Sequence, residues 1–506
     1  MDIIHVWLAL GLGACGGDGG GGAMDSGAAS DARDDSTAVR DARGDGFGES
    51  DTGPEPTEDA GSGEPDADTP LDGGGGSDTG PGRDGGSGCA LPVPFDVGAR
   101  YERTLHVAPG GFDSGDGSAT APLGSLREAA RRATPGTRIV LRAGTYRGST
   151  YLSNLRGTAE RPIAIVGEGD VVLDAEGAVE ALHLTDPQYV VLENVSVRNA
   201  TANGINIDDG GSYETPAHHV VLRAVRVQDV GTGGNNDCIK LSGVDDFFVL
   251  GGIVRGCNAG SQIDMVGCHR GFIHGNRFER TSGGGIQMKG GSADILVHGN
   301  VFVDVPGRGI NAGGSTGLPY FRPLDAPYEA ARLIVAANVF VRVGEASAAP
   351  IAFVGCDGCV FAHNTVIEPR TWVARILQET VGERFVPCRN GRFIDNIIVF
   401  RMAQLRAFVN VGANTAPETF RFGPNLWYAL DRTDFSGPTL GSGIPPEMGS
   451  VIQRDPQFVD SASGDYRLQP TSPARGAASA MPDVPADFAG RCWRSPPSLG
   501  AFEVED

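Results

Sequence analysis

The sequence predicts an all-β chain: a single-stranded right-handed parallel β-helix, a solenoid, with a short N-terminal capping helix and a C-terminal closing segment. Three observations predict it. A five-residue strand segment recurs, an asparagine-bearing segment recurs in step with it, and the two ends of the repeat carry cap-like pieces. The strand segment appears as Gly204-Ile-Asn-Ile-Asp208, Cys238-Ile-Lys-Leu-Ser242, Gln262-Ile-Asp-Met-Val266, Gly285-Ile-Gln-Met-Lys289, Gly309-Ile-Asn-Ala-Gly313, Pro350-Ile-Ala-Phe-Val354 and Arg375-Ile-Leu-Gln-Glu379. Isoleucine is second each time, at steps of 34, 24, 23, 24, 41 and 25 residues. Alternation of apolar and polar residues marks half-buried strands, and coils this short leave no room for helices between them. Stacking coil on coil then makes an interior isoleucine ladder.

The second segment reads Phe272-Ile-His-Gly-Asn276-Arg-Phe278, Ile295-Leu-Val-His-Gly-Asn300-Val-Phe302, Leu333-Ile-Val-Ala-Ala-Asn338-Val-Phe340 and Val360-Phe-Ala-His-Asn364-Thr-Val366, with Asn194 and Asn396 expected in the same slot. It predicts a phenylalanine ladder from positions 278, 302 and 340. It also predicts an asparagine row at a left-handed corner, bonding to the backbone of neighbouring coils. That role is structural. A solenoid exposes its end coils, so each needs a cap. Ser125-Leu-Arg-Glu128 is a capping box before helically spaced Leu126, Ala129, Ala130 and Ala133. At the other end Asp455-Pro-Gln-Phe458, Gly464-Asp-Tyr-Arg-Leu468 and Leu499-Gly-Ala-Phe-Glu503 are short turn-bounded pieces.

Ahead of the repeat lies a different kind of chain. The apolar run from Ile3 to Ala14 is too short to span a membrane as a mature helix and reads as a signal peptide. From Gly16 onward the chain is almost all Gly, Asp, Ser, Ala, Pro and Glu, which cannot bury enough apolar surface to offset chain entropy. The expected organisation is therefore a signal segment (1–15), a disordered linker (16–92), an N-terminal cap and first coil (93–150), the β-helix (151–430) and a C-terminal tail (431–506). Leu12-Gly13-Ala14-Cys15 resembles the lipobox of bacterial lipoproteins. The resemblance implies lipidation of Cys15 and a membrane contact made only through that anchor, at the outer membrane and cell surface. With Cys15 acylated, eight of the nine cysteines remain, an even number suited to disulfides; Cys356-Asp-Gly-Cys359 has no second pair at zinc spacing. A net charge of −22 excludes nucleic acid as partner.

His106-Val-Ala-Pro-Gly-Gly-Phe-Asp-Ser-Gly-Asp-Gly, Pro122-Leu-Gly-Ser-Leu, Gly144-Thr-Tyr146, the coils and the final Gly500-Ala-Phe-Glu503 together resemble the pectate-lyase-like superfamily of exported β-helix proteins, over roughly residues 100 to 506. The resemblance implies the fold. Its members include polysaccharide lyases, glycosidases, epimerases and proteins without known chemistry, so the reaction must come from the site.

Inward isoleucines put the next residues outward, giving a row of Asn206, Lys240, Asp264, Gln287 and Asn311, and a second row from Asp208 through Ser242 and Val266 to Lys289. Such a floor suits an extended acidic polysaccharide bound by a monomer. Loops carrying His269 and Arg270, and the long insertion with Tyr320, Phe321 and Arg322, are expected to enlarge it. β-Elimination on a uronic acid needs a base and a positive group for the developing charge. Lys289 and Lys240 are the candidate bases. Lys289, in Gln287-Met-Lys289, is similar to the strand-end lysine of the chondroitinase B and alginate lyase family. That family has an arginine on the next coil where this chain reads Asn311-Ala-Gly-Gly314, leaving Arg308 or Arg322 to supply it. Lys240 is similar to the strand lysine of family-nine pectate lyases, a resemblance implying calcium, for which Asp208, Asp209 and Asp237, with Asp264, are the oxygen donors. Bringing a lysine from about 10.4 to about 7.5 requires roughly 4 kcal/mol from its surroundings. The alternative is that Lys240 simply pairs with Asp264 one coil away and the aspartates are turn residues. Asn236-Asp237-Cys238-Ile239 is also similar to the Asp-Asp-Cys-Ile stretch of polygalacturonases, with Asp264 as partner carboxylate. That leaves a hydrolase, or a non-catalytic glycan-binding surface lipoprotein, as the other readings.

Overall fold

A computed structural model describes residues 89–505 apart from Tyr213, Gly234, Asn235, Ala259 and Ala346. The expected signal segment, Cys15 and nearly all of the expected linker lie outside the described residues. Within them the chain is a parallel β-solenoid of about 11 turns. One ten-stranded parallel sheet runs along it from Thr150–Ser153 to Val409–Val411, and the strands of the other faces join in a twenty-two-stranded sheet.

The isoleucine ladder is real for six of its seven rungs. Ile205, Ile239, Ile263, Ile286, Ile310 and Ile351 are successive partners and all are buried. Each contributes roughly 1.5–3 kcal/mol by leaving water. The seventh rung is offset by two: Ala374 pairs with Ile351, and Ile376 pairs with Phe353. A shift of two keeps the inward parity, so the core accepts it. Its consequence lies outside, because Arg375 rather than Leu377 becomes the partner of Ala352 in the outward row. Phe278, Phe302 and Phe340 stack with centroids 4.8 and 4.6 Å apart.

The asparagine ladder runs through Asn276, Asn300, Asn338, Asn364, Asn396 and, beyond the expected set, Asn425. Each Oδ1 from Asn300 onward accepts the backbone N–H of the preceding asparagine at 2.9 Å. Two expectations need correction. The left-handed residue is the one before the asparagine (Gly275, Gly299, Ala337, His363, Asp395), so the asparagine keeps ordinary strand φ. Asn194 has φ +54 itself, one position short of the ladder slot, and bonds instead to the Gly167 carbonyl.

At the N-terminal end Leu126–Arg132 is helical, with Glu128 N–H donating to Ser125 Oγ and Leu126 and Ala129 buried. At the other end Phe435 closes the core against Phe400 and Phe408. The tail then turns back along the flank: Gly500 N–H donates to the Asp395 carbonyl, and the Ala486 carbonyl lies 2.9 Å from His298 Nε2. Two disulfides form, Cys89–Cys492 and Cys238–Cys257. Cys268, Cys356, Cys359 and Cys388 are instead buried thiols, so only half of the eight cysteines pair. No helix among the described residues is long and apolar enough to cross a membrane.

Candidate functional site

The outward row assembles as alternation requires. Asn206 pairs with Lys240, Lys240 with Asp264, Asp264 with Gln287 and Gln287 with Asn311; the second row brings Asp208, Ser242, Val266 and Lys289 into line. Above the first row opens a cavity of about 310 Å³ lined by Asp237, Ser261, Asp264, Gln287, Arg308 and Asn311, among others. Arg308 donates to Asn311 Oδ1 at 2.9 Å and to Glu379 at 2.6 Å, so its guanidinium is fixed at the rim.

The charges at the floor decide what this cavity can do. Lys240 Nζ hydrogen-bonds Asp264 Oδ2 and lies 3.5 Å from Asp237 Oδ2. Burial works against the ammonium, but the Asp264 and Asp237 carboxylates outweigh it and hold Lys240 above its ordinary range. A base must be deprotonated, and this geometry is instead the ion pair with Asp264 that the sequence offered as the alternative. Lys289 fares little better: only 8% exposed, it sits 3.6 Å from Asp264 Oδ1. Gly314 packs so closely that a Cβ there would lie 3.4 Å from the Lys289 chain. Lys289 is ion-paired and is not among the residues that line the cavity.

Asp237 and Asp264, though buried, line the cavity itself. Asp237 is pushed up to about 6, first by burial and then by the Asp264 charge. Its Oδ1 accepts the Ser261 N–H at 2.7 Å, which fixes the group. Asp264 is 2% exposed, and its Oδ1 has no hydrogen-bond partner. Its neighbour is the Lys289 ammonium at 3.6 Å, beyond hydrogen-bond reach, so this oxygen can still accept a donor. One carboxyl with a raised pKa beside a second carboxylate in the same cavity is the arrangement of a general acid and base.

Other expected members do not join them. His269 lies 3.1 Å from both Asp245 Oδ1 and the Gly291 carbonyl, and Arg322 grips Asp245 through both terminal nitrogens at 2.6 and 2.7 Å. Both therefore brace a loop instead of lining the cavity. Tyr320 is exposed on the turn Leu318–Tyr320, whose carbonyl end packs on Gly290. The calcium set does not converge. Asp208 bonds His183, Asp209 Oδ1 accepts the Gly211 N–H at 2.8 Å, and Asp237 faces Lys240. Among the described residues no group of three or more His, Cys, Asp or Glu is placed to hold a metal, and calcium takes six to eight oxygens. These residues do not fit that ion.

Two features escaped the sequence. Glu180 Oε2 and Asp208 Oδ2 hold His183 at 2.7 and 2.5 Å on its two ring nitrogens, and Asn206 donates to Glu180 at 2.9 Å. Burial disfavours the imidazolium, yet those hydrogen bonds raise His183 to about 9. Its strand, Leu182–Thr185, lacks the isoleucine signature, but Leu182 opposite Ile205 marks the same parity. The other is Arg375, hidden by the two-residue offset.

Register and sheet order define the class: a right-handed parallel β-helix protein with an acidic pair at its ten-stranded sheet. Residues 180–319 match the family described as "Right handed beta helix region". An uncharacterized Bacillus subtilis protein, YwoF, is 24% identical over 205 residues, 32% of this chain; the match spans 43% of that relative's length. Among solved structures, pectate lyase Pel9A is similar at 16% identity over 81% of this chain and 98% of its own, with TM-score 0.49. An alginate lyase from Paenibacillus sp. str. FPU-7 is similar at 20% identity over 61% and 97%, TM-score 0.38. A lacto-N-biosidase from Eubacterium ramulus gives 16% over 69% and 68%, TM-score 0.43. None of these assigns a residue here.

Proposed function

We propose that this chain is an exported carbohydrate-active protein that cleaves a glycosidic bond in an acidic polysaccharide, with Asp237 as general acid and Asp264 as general base. The observation that carries the reading is the pairing, in one open cavity, of a buried carboxyl raised to about 6 with a buried carboxylate whose Oδ1 accepts no hydrogen bond. Such a pair fits hydrolysis, in which one group protonates the leaving oxygen and the other activates water. Gln287, Asn311 and Arg308 line the same cavity and offer the hydrogen bonds that would orient sugar rings. Two disulfides agree with an oxidising compartment.

Elimination is the second reading, favoured by one observation: the Lys289 ammonium lies beside the cavity-lining Asp264, and positive charge of that kind is what a developing enolate requires. The two readings separate in one experiment. The full chain is incubated with polygalacturonate, alginate and glucuronate-containing polymers, and new reducing ends and unsaturated-product absorbance are both read. Hydrolysis predicts reducing ends without that absorbance, and a loss of roughly 10²–10⁴-fold in Asp237→Asn. Unsaturated product abolished by Lys289→Ala would establish elimination instead. No cleavage of any polymer would refute both.

A further inference from the structure

Six strands pair in succession along the binding sheet from Asp264 through Gln287, Asn311 and Ala352 to Arg375 and Asn410. At about 4.8 Å per strand, Arg375 lies roughly 19 Å along the rod from Asp264. There a second cavity of about 470 Å³ opens, lined by Trp372, Arg375, Arg406, Asn410 and Ser442, among others. Two guanidiniums share one indole: the Arg375 and Arg406 carbons lie 4.5 and 5.9 Å from the Trp372 ring. Trp372 is only 6% exposed, so it is a fixed support rather than a loose surface ring. Arg375 is further held by Asn410 Oδ1 at 2.9 Å and the Ser347 carbonyl at 2.5 Å, and Ser347 also lines the first cavity.

Charge makes this place unusual. In a chain of net charge −22, most arginines along the solenoid have a carboxylate partner, as Arg308 has Glu379 and Arg270 has Asp246. Among the described residues, neither Arg375 nor Arg406 forms an ion pair within 4.0 Å; each contacts neutral groups. A guanidinium held by neutral acceptors and an aromatic face keeps donors for a planar oxyanion, and two of them converge on one opening. Burial and then the neighbouring Arg308 charge lower Arg375 to about 10, with the Glu379 carboxylate offsetting them only in part.

We infer that Arg375 and Arg406, braced by Trp372, form an anion subsite for the charged substituent of a sugar residue bound about four coils from the Asp237–Asp264 pair. The subsite rests on the proposed polysaccharide reading and narrows it, because it requires the polymer to carry negative charge several residues from the bond that is cut. A uronate carboxylate and a sulfate ester share that chemistry.

Binding is measured by calorimetry on the full chain carrying Asp237→Asn, so that no probe is consumed. The probes are hexagalacturonate, its fully methyl-esterified form and a sulfated neutral hexasaccharide. The expected result is that at least one anionic oligomer binds and that Arg406→Gln, an exposed change, weakens it roughly 10-fold, with Arg375→Gln added bringing the loss to about 100-fold. The esterified oligomer should be indifferent to both changes. Preference for hexagalacturonate or for the sulfated probe tells carboxylate from sulfate. The inference is overturned if no anionic probe binds, if the esterified oligomer binds as tightly as its acid, or if Arg406→Gln leaves anion binding unchanged. Should the unmodified chain cleave nothing while these binding results hold, the acid–base reading fails and the subsite stands.

Discussion

The asparagine ladder and the outward row are built on the same stacked coils, but they use repetition in opposite ways. In the ladder each rung is identical: an amide passes from Asn276 to Asn425, every Oδ1 beyond the first accepting the previous rung's N–H. In the outward row no side chain from Asn206 to Arg375 is followed by its like. Identical rungs satisfy backbone groups that the core would otherwise strand, which is a stability device. Changing rungs gathers unlike charges: beside them lie a raised carboxyl, a carboxylate oxygen without a hydrogen bond and two guanidiniums without an ion pair.

The largest effect should come from breaking a rung. Asn338→Ala removes the acceptor of the Asn300 N–H and the donor to the Val297 and Ala336 carbonyls. Several buried groups left unpaired should cost about 4 kcal/mol in chemical denaturation. A loss under about 1 kcal/mol would mean that the ladder is ornamental.

Next comes Asp237→Asn, which should do the reverse. The folded pKa of Asp237 is raised above its unfolded value, so the folded chain holds the extra proton; its contribution is full below about pH 4 and is lost as pH rises through about 6. At pH 7 the neutral amide should therefore be more stable than wild type by about 2 kcal/mol while cleavage collapses. Destabilisation at pH 7 would make the pair a structural ion cluster.

The smallest effect belongs to His183. Raised to about 9, it contributes stability that is whole below about 6.5 and disappears as pH climbs through 9. Because the ring is partly solvated, screening reduces this to about 1 kcal/mol. His183→Gln should flatten that alkaline decline in thermal melts; a variant that declines as steeply as wild type would remove His183 as the cause.

What the sequence revealed follows the same division. Ladders were legible because a core selects the same residue at every coil, so Ile205 to Ile351 and Phe278 to Phe340 stand out by spacing alone. The ladder error at Asn194 was one of register: residue type matched but the left-handed corner did not, since φ is not written in the amide. The outward row was legible only as geometry. The Lys240–Asp264 pair could be read as one of two alternatives, but choosing it over a free base depends on side-chain charge balance with Asp237 that spacing does not carry. That Arg322 would turn to Asp245, 77 residues away, depends on the path of a loop with no periodicity. Arg375 was lost because a two-residue offset leaves the apolar pattern intact and changes only which residue faces out.

The pH dependence of kcat/KM for polysaccharide cleavage, read with the identity of the new chain end, tests the acid–base account most directly. The account requires saturated ends and a rate that falls as pH rises through about 6, with that limb lost in the residual activity of Asp237→Asn. A rate that climbs toward alkaline pH with unsaturated ends, surviving Asp237→Asn, would contradict it.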